Sequence, residues 1–345
     1  MSVRNITLPG ELPGLVGPEV KRVFVVMNLV VLSQIVCTFG IGANIVNMVI
    51  FKKHGFDDTV NISLFSLAIS DFGALITQQW FIICLNPWFE NSDIPFSSME
   101  IQSLTAGYPH RYFVKTAAWI TAFVTFERSL CVALPLKVKS LITRKVAFAF
   151  NVGIYLFMTL TMYPLYSTTY FGWKFYPKRN RTLLGMKYTP DRKEIFERWL
   201  FLSDFCVPLI AFIVVILCTF IIAVKLKSKA KWRKTASGSA TTSNEISAKD
   251  RKVVIMISVI SGIFIFCFTP ISAILAARSI VPDLNIIGRY ANINWVCASL
   301  GMLAETVNSS VNALVYYKMS TKYRDTFRQM FNSCCKFQGK TDDLK

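Results

Sequence analysis

Six charged residues stand inside stretches of sequence otherwise too apolar to solvate them: Asp71, Lys115, Glu127, Arg128, Asp204 and Glu305. His110 and Arg111 stand just ahead of Lys115, at the start of the third such stretch. A charge in hydrocarbon costs roughly 2.5–3.5 kcal/mol on insertion scales unless a partner or a wet cavity receives it. The chemistry open to these residues is therefore pairing, switching and capture of an ion or ligand. Bond-making chemistry has little support. The nine cysteines form no C-x-x-C pair, and His54 and His110 are the only histidines, so neither a zinc site nor a His/Asp hydrolase centre is expected. Metal aside, Lys115 and Asp204 are expected to pair in the outer half of their helices, with His110 and Arg111 one turn above and Glu305 facing in from the last stretch. Two readings of that pair stay open: a bridge that satisfies two buried charges, or a site at which a polar ligand competes.

The elements that must position these groups are long apolar stretches. The chain has 345 residues, of which 53% are hydrophobic and only 17% charged, against about 25% charged in soluble domains. A bilayer core about 30 Å thick takes roughly 20 apolar helical residues. Seven stretches qualify: 23–51, 61–85, 112–134, 146–166, 200–224, 253–277 and 291–317. Backbone in lipid must satisfy itself, so each is expected to be a helix, giving an all-α seven-helix membrane bundle. The first stretch is too long for a signal-peptide core and is read as a retained helix behind a short tail. The net charge of +18 resembles that of a nucleic-acid binder until its placement is traced. With the N-terminus outside, the cytosolic segments hold 22 of the Lys and Arg residues and the outer ones 14. That asymmetry favours an outer N-terminus and a cytoplasmic C-terminus, and removes the case for nucleic acid. Residues 1–22 are then an outer tail, 23–317 the membrane domain and 318–345 a cytoplasmic tail. Sequons at Asn5 and Asn180 fall outside as glycosylation candidates, whereas those at Asn61 and Asn308 lie at or within helices and read as chance.

The embedded motifs narrow the class. The first helix has Gly42-Ala43-Asn44 and the second Leu67-Ala68-Ile69-Ser70-Asp71. The third ends Glu127-Arg128-Ser129 with Pro135-Leu136 following, and the fifth carries Pro208. The sixth has Phe264-Ile265-Phe266-Cys267-Phe268-Thr269-Pro270, and the seventh Asn312-Ala313-Leu314-Val315-Tyr316. Each is weak alone; six in order resemble the rhodopsin-like (class A) G-protein-coupled receptors over nearly the whole chain. The segment from Thr125 to Cys131, with Pro135 to Lys139, is similar to mollusc chemosensory and neuropeptide-like receptors.

That resemblance implies a receptor that carries an extracellular signal to a heterotrimeric G protein by movement of helix 6. It implies a switch of Glu127, Arg128 and, at the base of helix 6, Asp250, with Phe264, Pro270, Asn312 and Tyr316 relaying motion and Phe268 joining the ligand pocket. It also implies an allosteric sodium ion held by Asp71, Asn44, Asn308, Ser309 and Asn312. Ala117 stands where the family usually has a serine, so a polar network without the ion is the alternative. No other cofactor is expected. The family's disulfide between the second outer loop and helix 3 is absent, because neither segment has a cysteine. That loop, Ser167–Trp199, holds 8 of the 14 outer basic residues and would steer a polar or acidic small molecule or peptide. It must be held by packing and hydrogen bonds instead.

Three further expectations complete the reading. Alanine replaces the family's proline at Ala313, so helix 7 should run straighter than in relatives. Ser320–Phe331 reads as an amphipathic helix on membrane lipid, followed at once by Cys334-Cys335, candidates for palmitoylation. An opsin is excluded because 291–317 holds no lysine for a retinal Schiff base. A seven-helix transporter or channel is the remaining rival, and would place its polar residues along one continuous path.

Overall fold

Local signals set the helix ends. The computed structural model describes residues 16–342 except 194, 196–198, 200, 236–247, 282 and 285–287. Helix α1, Pro18–His54, starts with a proline that needs no N–H partner there and stops at Gly55, whose φ of 79° suits only glycine. Asp58 then caps α2, Thr59–Leu85, its carboxylate accepting from Val60 N–H at 3.1 Å. Helix α3 covers Tyr108–Ala133. Thr143 caps α4, Arg144–Ser167. Helix α5 continues Val207–Thr235, α6 runs Ala248–Ile280 and α7 Ala291–Met319. Helix α7 has no internal proline and is a single unbroken element. Helix α8, Thr321–Asp342, extends well beyond the expected 320–331. Asn5 lies outside the described residues. The backbone at Asp250, Cys334 and Cys335 is helical, while their side chains lie outside what the structure describes.

Five of the seven long helices, α1, α2, α4, α5 and α6, contain stretches long and apolar enough to cross a membrane. The other two, α3 and α7, carry the polar residues and turn them inward: Lys115, Glu127, Arg128, Asn308, Ser309 and Asn312 are all buried. A buried helix needs no lipid-facing coat, and so it can afford polar chemistry. The core runs along this axis. At the end of the bundle near Gly55, Phe51, Leu64, Val124, Ile257 and Tyr316 pack together, and toward the other end Ala118, Ala122, Ala211, Phe264 and Phe268 join α3, α5 and α6. Gly40 lets α1 meet Ser310 of α7, where a Cβ would collide.

The segment after α4 forms a hairpin. Strand β1, Thr169–Tyr176, pairs antiparallel with β2, Arg181–Tyr188, in a register that sets Gly172 opposite Gly185. Asn180 takes the left-handed turn position at φ 48° and is exposed. The hairpin is fixed by polar contacts. Leu184 N–H donates to Pro95 O and Ser97 N–H to Leu184 O, each at 2.9 Å. Glu100 accepts from Met186 N–H at 2.6 Å and pairs with Lys174 at 2.7 Å, while Arg181 pairs with Asp93 and Arg179 with Glu90. Burial acts to raise the Glu100 carboxyl, but Lys174 and the Met186 N–H outweigh it and hold the group below its ordinary value. Its contribution is therefore complete above the ordinary carboxylate range and fades as pH falls through the lowered value. A hydrogen bond to a charged group contributes about 1.5–3 kcal/mol. Hydrogen exchange of the hairpin amides should thus quicken roughly tenfold or more in Glu100→Gln at neutral pH; an unchanged rate would mean the other contacts suffice.

Candidate functional site

The outer polar cluster is built by a loosened turn. Pro208 has no N–H to donate to the carbonyl of Asp204 four residues back, and Phe201–Cys206 opens into a π-helical turn there. That turn carries Asp204 toward α3. Arg111 Nη1 donates to Asp204 Oδ2 at 2.6 Å and Lys115 Nζ to Oδ1 at 3.0 Å. Arg111 and Lys115 lie four residues apart on α3, so both reach the same carboxylate. They differ in exposure: the Lys115 side chain is 4% exposed and that of Arg111 39%, with its guanidinium 4.9 Å from the Tyr108 ring centre. His110 sits between α2 and α7, 3.0 Å from Ala74 O and 3.5 Å from Glu305. Phe268 is not with these charges. It stacks on Phe264 at 4.3 Å, in the apolar layer between α3, α5 and α6.

The inner polar residues form two groups. Asn312 Nδ2 donates to Asp71 Oδ2 at 2.9 Å, and the other carboxylate oxygen of Asp71 and the amide oxygen of Asn312 are buried without a partner among the described residues. Two orphaned oxygens around a fully buried acid fit a small cation, as oxygen ligands suit hard ions. Asn308 and Ser309 are buried on the adjacent turn. Asn44 is differently committed: its amide donates to Gly40 O and Ser309 O and its oxygen accepts from Asn47. It clamps α1 to α7 and has little left for an ion.

At the end of the bundle near Gly55, Arg128 donates to Glu127, which also accepts from Thr59 of α2. A hydroxyl pair, Thr125 and Ser261 at 2.7 Å, links α3 to α6. Tyr316 packs against Phe51 and Tyr323, and Tyr323 OH donates to Asn47 Oδ1 at 2.6 Å. Tyr323 therefore faces the bundle, as does Phe327 against Tyr317. Thr59, Thr125, Ser261, Asn47 and Tyr323 were not among the residues expected to function. A small polar residue inside an apolar helix was the available signal for Ser261 and Asn47. Asn61 donates to Phe51 O and Gly55 O, so its sequon serves the α1–α2 turn.

A bundle of seven long helices with polar groups gathered on α3 and α7, one set toward each end, fits a multi-pass membrane protein of the signalling-receptor class. The family described as 7 transmembrane receptor (rhodopsin family) matches residues 42–316, and the chain belongs to it. That family is one of receptors and not of enzymes. The chain is also 26% identical over 92 residues to the human (Homo sapiens) D(4) dopamine receptor, a match covering 26% of this chain and 20% of that receptor's length.

Proposed function

We propose that this receptor sits in the plasma membrane with its N-terminus outside, binds a ligand carrying an anionic group, and passes the signal to a heterotrimeric G protein. The observation that carries this reading is the arrangement Arg111–Asp204–Lys115, in which two cations share one carboxylate and only Arg111 is open to solvent. The inner pair neutralises itself, so Lys115 and Asp204 act as a support. Arg111 supplies the surplus charge and a planar fork suited to a carboxylate or phosphate. The basic hairpin above it raises the local concentration of such a ligand. A chemosensory small molecule and an acidic neuropeptide both meet this requirement. An amine, the ligand class in the human relative's name, would meet two cations at this point.

Inside, Arg128 is the group a G protein would meet once α6 moves away from α3, breaking Thr125–Ser261 and any contact of Asp250. Asp71, Asn312, Ser309 and Asn308 would hold a sodium ion, whose charge would offset that of the buried acid. Asn180 is the proposed glycan site, and Cys334 and Cys335 would anchor α8 to lipid.

The test is expression with promiscuous G proteins and a screen of tissue extracts for calcium release, with Arg128→Ala as the silent control. Once an active fraction is found, Arg111→Gln should lower its potency roughly tenfold to a hundredfold at normal surface expression. Unchanged potency would remove Arg111 as the anchor. Calcium release that persists in Arg128→Ala would count for the transporter or channel reading.

A further inference from the structure

The α1–α2 turn, the start of α6 and the α7–α8 junction enclose a cavity of about 250 Å³ at the Gly55 end of the bundle. That is just below the roughly 300–1,000 Å³ of sites for drug-sized ligands. Its floor is apolar and firmly held. Phe51, Leu64, Met256 and Tyr316 line it and are buried. The Phe51 and Tyr316 rings meet edge-on at 5.1 Å, and Tyr323 beside them is anchored to Asn47. The rim is polar. It holds His54, 3.1 Å from the Thr326 hydroxyl of α8, with Lys252 of α6 and Lys322 of α8. Both lysines are exposed, and neither joins an ion pair with a described residue. The one acid in the lining, Asp58, is committed to capping α2, and its neighbour Asp57 pairs with Arg144.

We propose that this cavity binds a medium-chain fatty-acid anion, its chain on the Phe51 and Tyr316 floor and its carboxylate received by Lys252 and Lys322. An apolar floor beneath a positive rim suits a molecule whose two ends differ in the same way. A neutral apolar molecule would leave the cations unused, and an amine would be repelled. Lys52, Lys53, Arg251 and Lys318, all exposed on the same helix ends, add to the positive field that would draw an anion in. Flexible four-carbon stems let both lysines follow the carboxylate. The occupant would touch Lys252, Val253 and Met256 of α6 on one side and α1, α2, α7 and α8 on the other. It would therefore favour the arrangement in which Thr125 and Ser261 hold α6 to α3. Its consequence for signalling, an inhibition, rests on the proposed coupling to a G protein; its binding does not.

Decanoate is the probe, added to the purified receptor in nanodiscs of phosphatidylcholine, with decanol and decylamine as controls of equal chain length. At a hundred times its dissociation constant, decanoate should lower the wild-type unfolding constant about a hundredfold, and neither control should match it. Lys252→Gln combined with Lys322→Gln changes two exposed positions, so it should fold normally. It should need roughly tenfold to a hundredfold more decanoate for the same effect. Met319→Trp keeps both cations, fills the cavity from α7 and should remove the response. A response that both variants share with the wild type, or one as large to decanol as to decanoate, overturns the proposal. Nucleotide exchange on a purified G protein reads the consequence: decanoate should slow the receptor-dependent rate in the wild type and not in the lysine variant. A midpoint that shifts while exchange stays unchanged keeps the site and counts against the G-protein reading. Exchange that slows with no shift in midpoint counts against the site.

Discussion

Asp204→Asn should destabilise the folded receptor by about 3–5 kcal/mol, the usual consequence of leaving a buried charge without its counter-ion. The carboxylate holds Arg111 at 2.6 Å and Lys115 at 3.0 Å. An asparagine of the same shape can accept one of those hydrogen bonds and neutralise neither cation. Lys115, almost wholly enclosed, cannot turn to water, and it would face Arg111 across a site with no negative charge. Lys115→Met should cost less, because Asp204 keeps Arg111, which is exposed enough to follow the carboxylate. The double variant should recover most of the Asp204→Asn loss, giving a coupling that simple addition of the two single effects would miss. Thermal midpoints of the purified proteins, with surface expression in cells, measure all three. A loss below about 1 kcal/mol for Asp204→Asn, the range of exposed pairs, would mean water reaches the pair and that Asp204 is open to ligand.

This pair was legible in the sequence because a membrane makes buried charge conspicuous. With α1, α4 and α6 free of charge in their apolar spans, Lys115 and Asp204 stood out as opposite charges at the same depth. The third partner was harder to see. Arg111 was expected one turn above Lys115, and α3 begins at Tyr108 so that it is there, but nothing in the spacing said that both cations would meet the same carboxylate. Glu305 was expected to face inward, and it does, but toward His110 and not toward the cations.

The hairpin and the helix junctions were legible to different degrees. The run Thr169–Tyr176 is rich in aromatic residues and ends in Pro-Lys-Arg-Asn, a strand and turn signature concealed by the basic charge around it. What holds the hairpin, Glu100 and Asp93, lies some 86 to 88 residues away in the chain, and no local pattern announces such a partner. The same holds for Tyr323 and Asn47, 276 residues apart. The four-residue spacing of Tyr323 and Phe327 marks one apolar face of a helix, but lipid and a protein interior both accept an aromatic face, so the spacing does not name its neighbour. The π-helical turn at Asp204 had its cue in Pro208, but a proline states that a helix is perturbed without stating which residue is redirected.

At the inner site, Asp71→Leu should destabilise the receptor by about 1–3 kcal/mol even without sodium, because the Asn312 amide loses its acceptor in a buried place. Asp71→Asn restores an acceptor for that amide and removes the charge, so it isolates whatever an ion contributes. The orphaned oxygens of Asp71 and Asn312 predict that the wild-type midpoint rises when sodium chloride replaces choline chloride, by about 2.7 kcal/mol at a hundred times the dissociation constant. Both variants should abolish the rise. A wild-type midpoint indifferent to sodium would instead favour the polar network, in which Asp71 is neutral and donates its proton to the Asn312 amide oxygen, the other buried acceptor without a partner. The two outcomes also differ in pH: a neutral acid keeps its stabilising bond as the medium becomes more acidic, whereas an ion is displaced by protons. Ala117 is the residue that decides how far the first outcome can go. With no hydroxyl there, α3 lacks a side-chain ligand at that position, and Ala117→Ser should strengthen the sodium response if an ion is bound and leave it at zero if the network is dry.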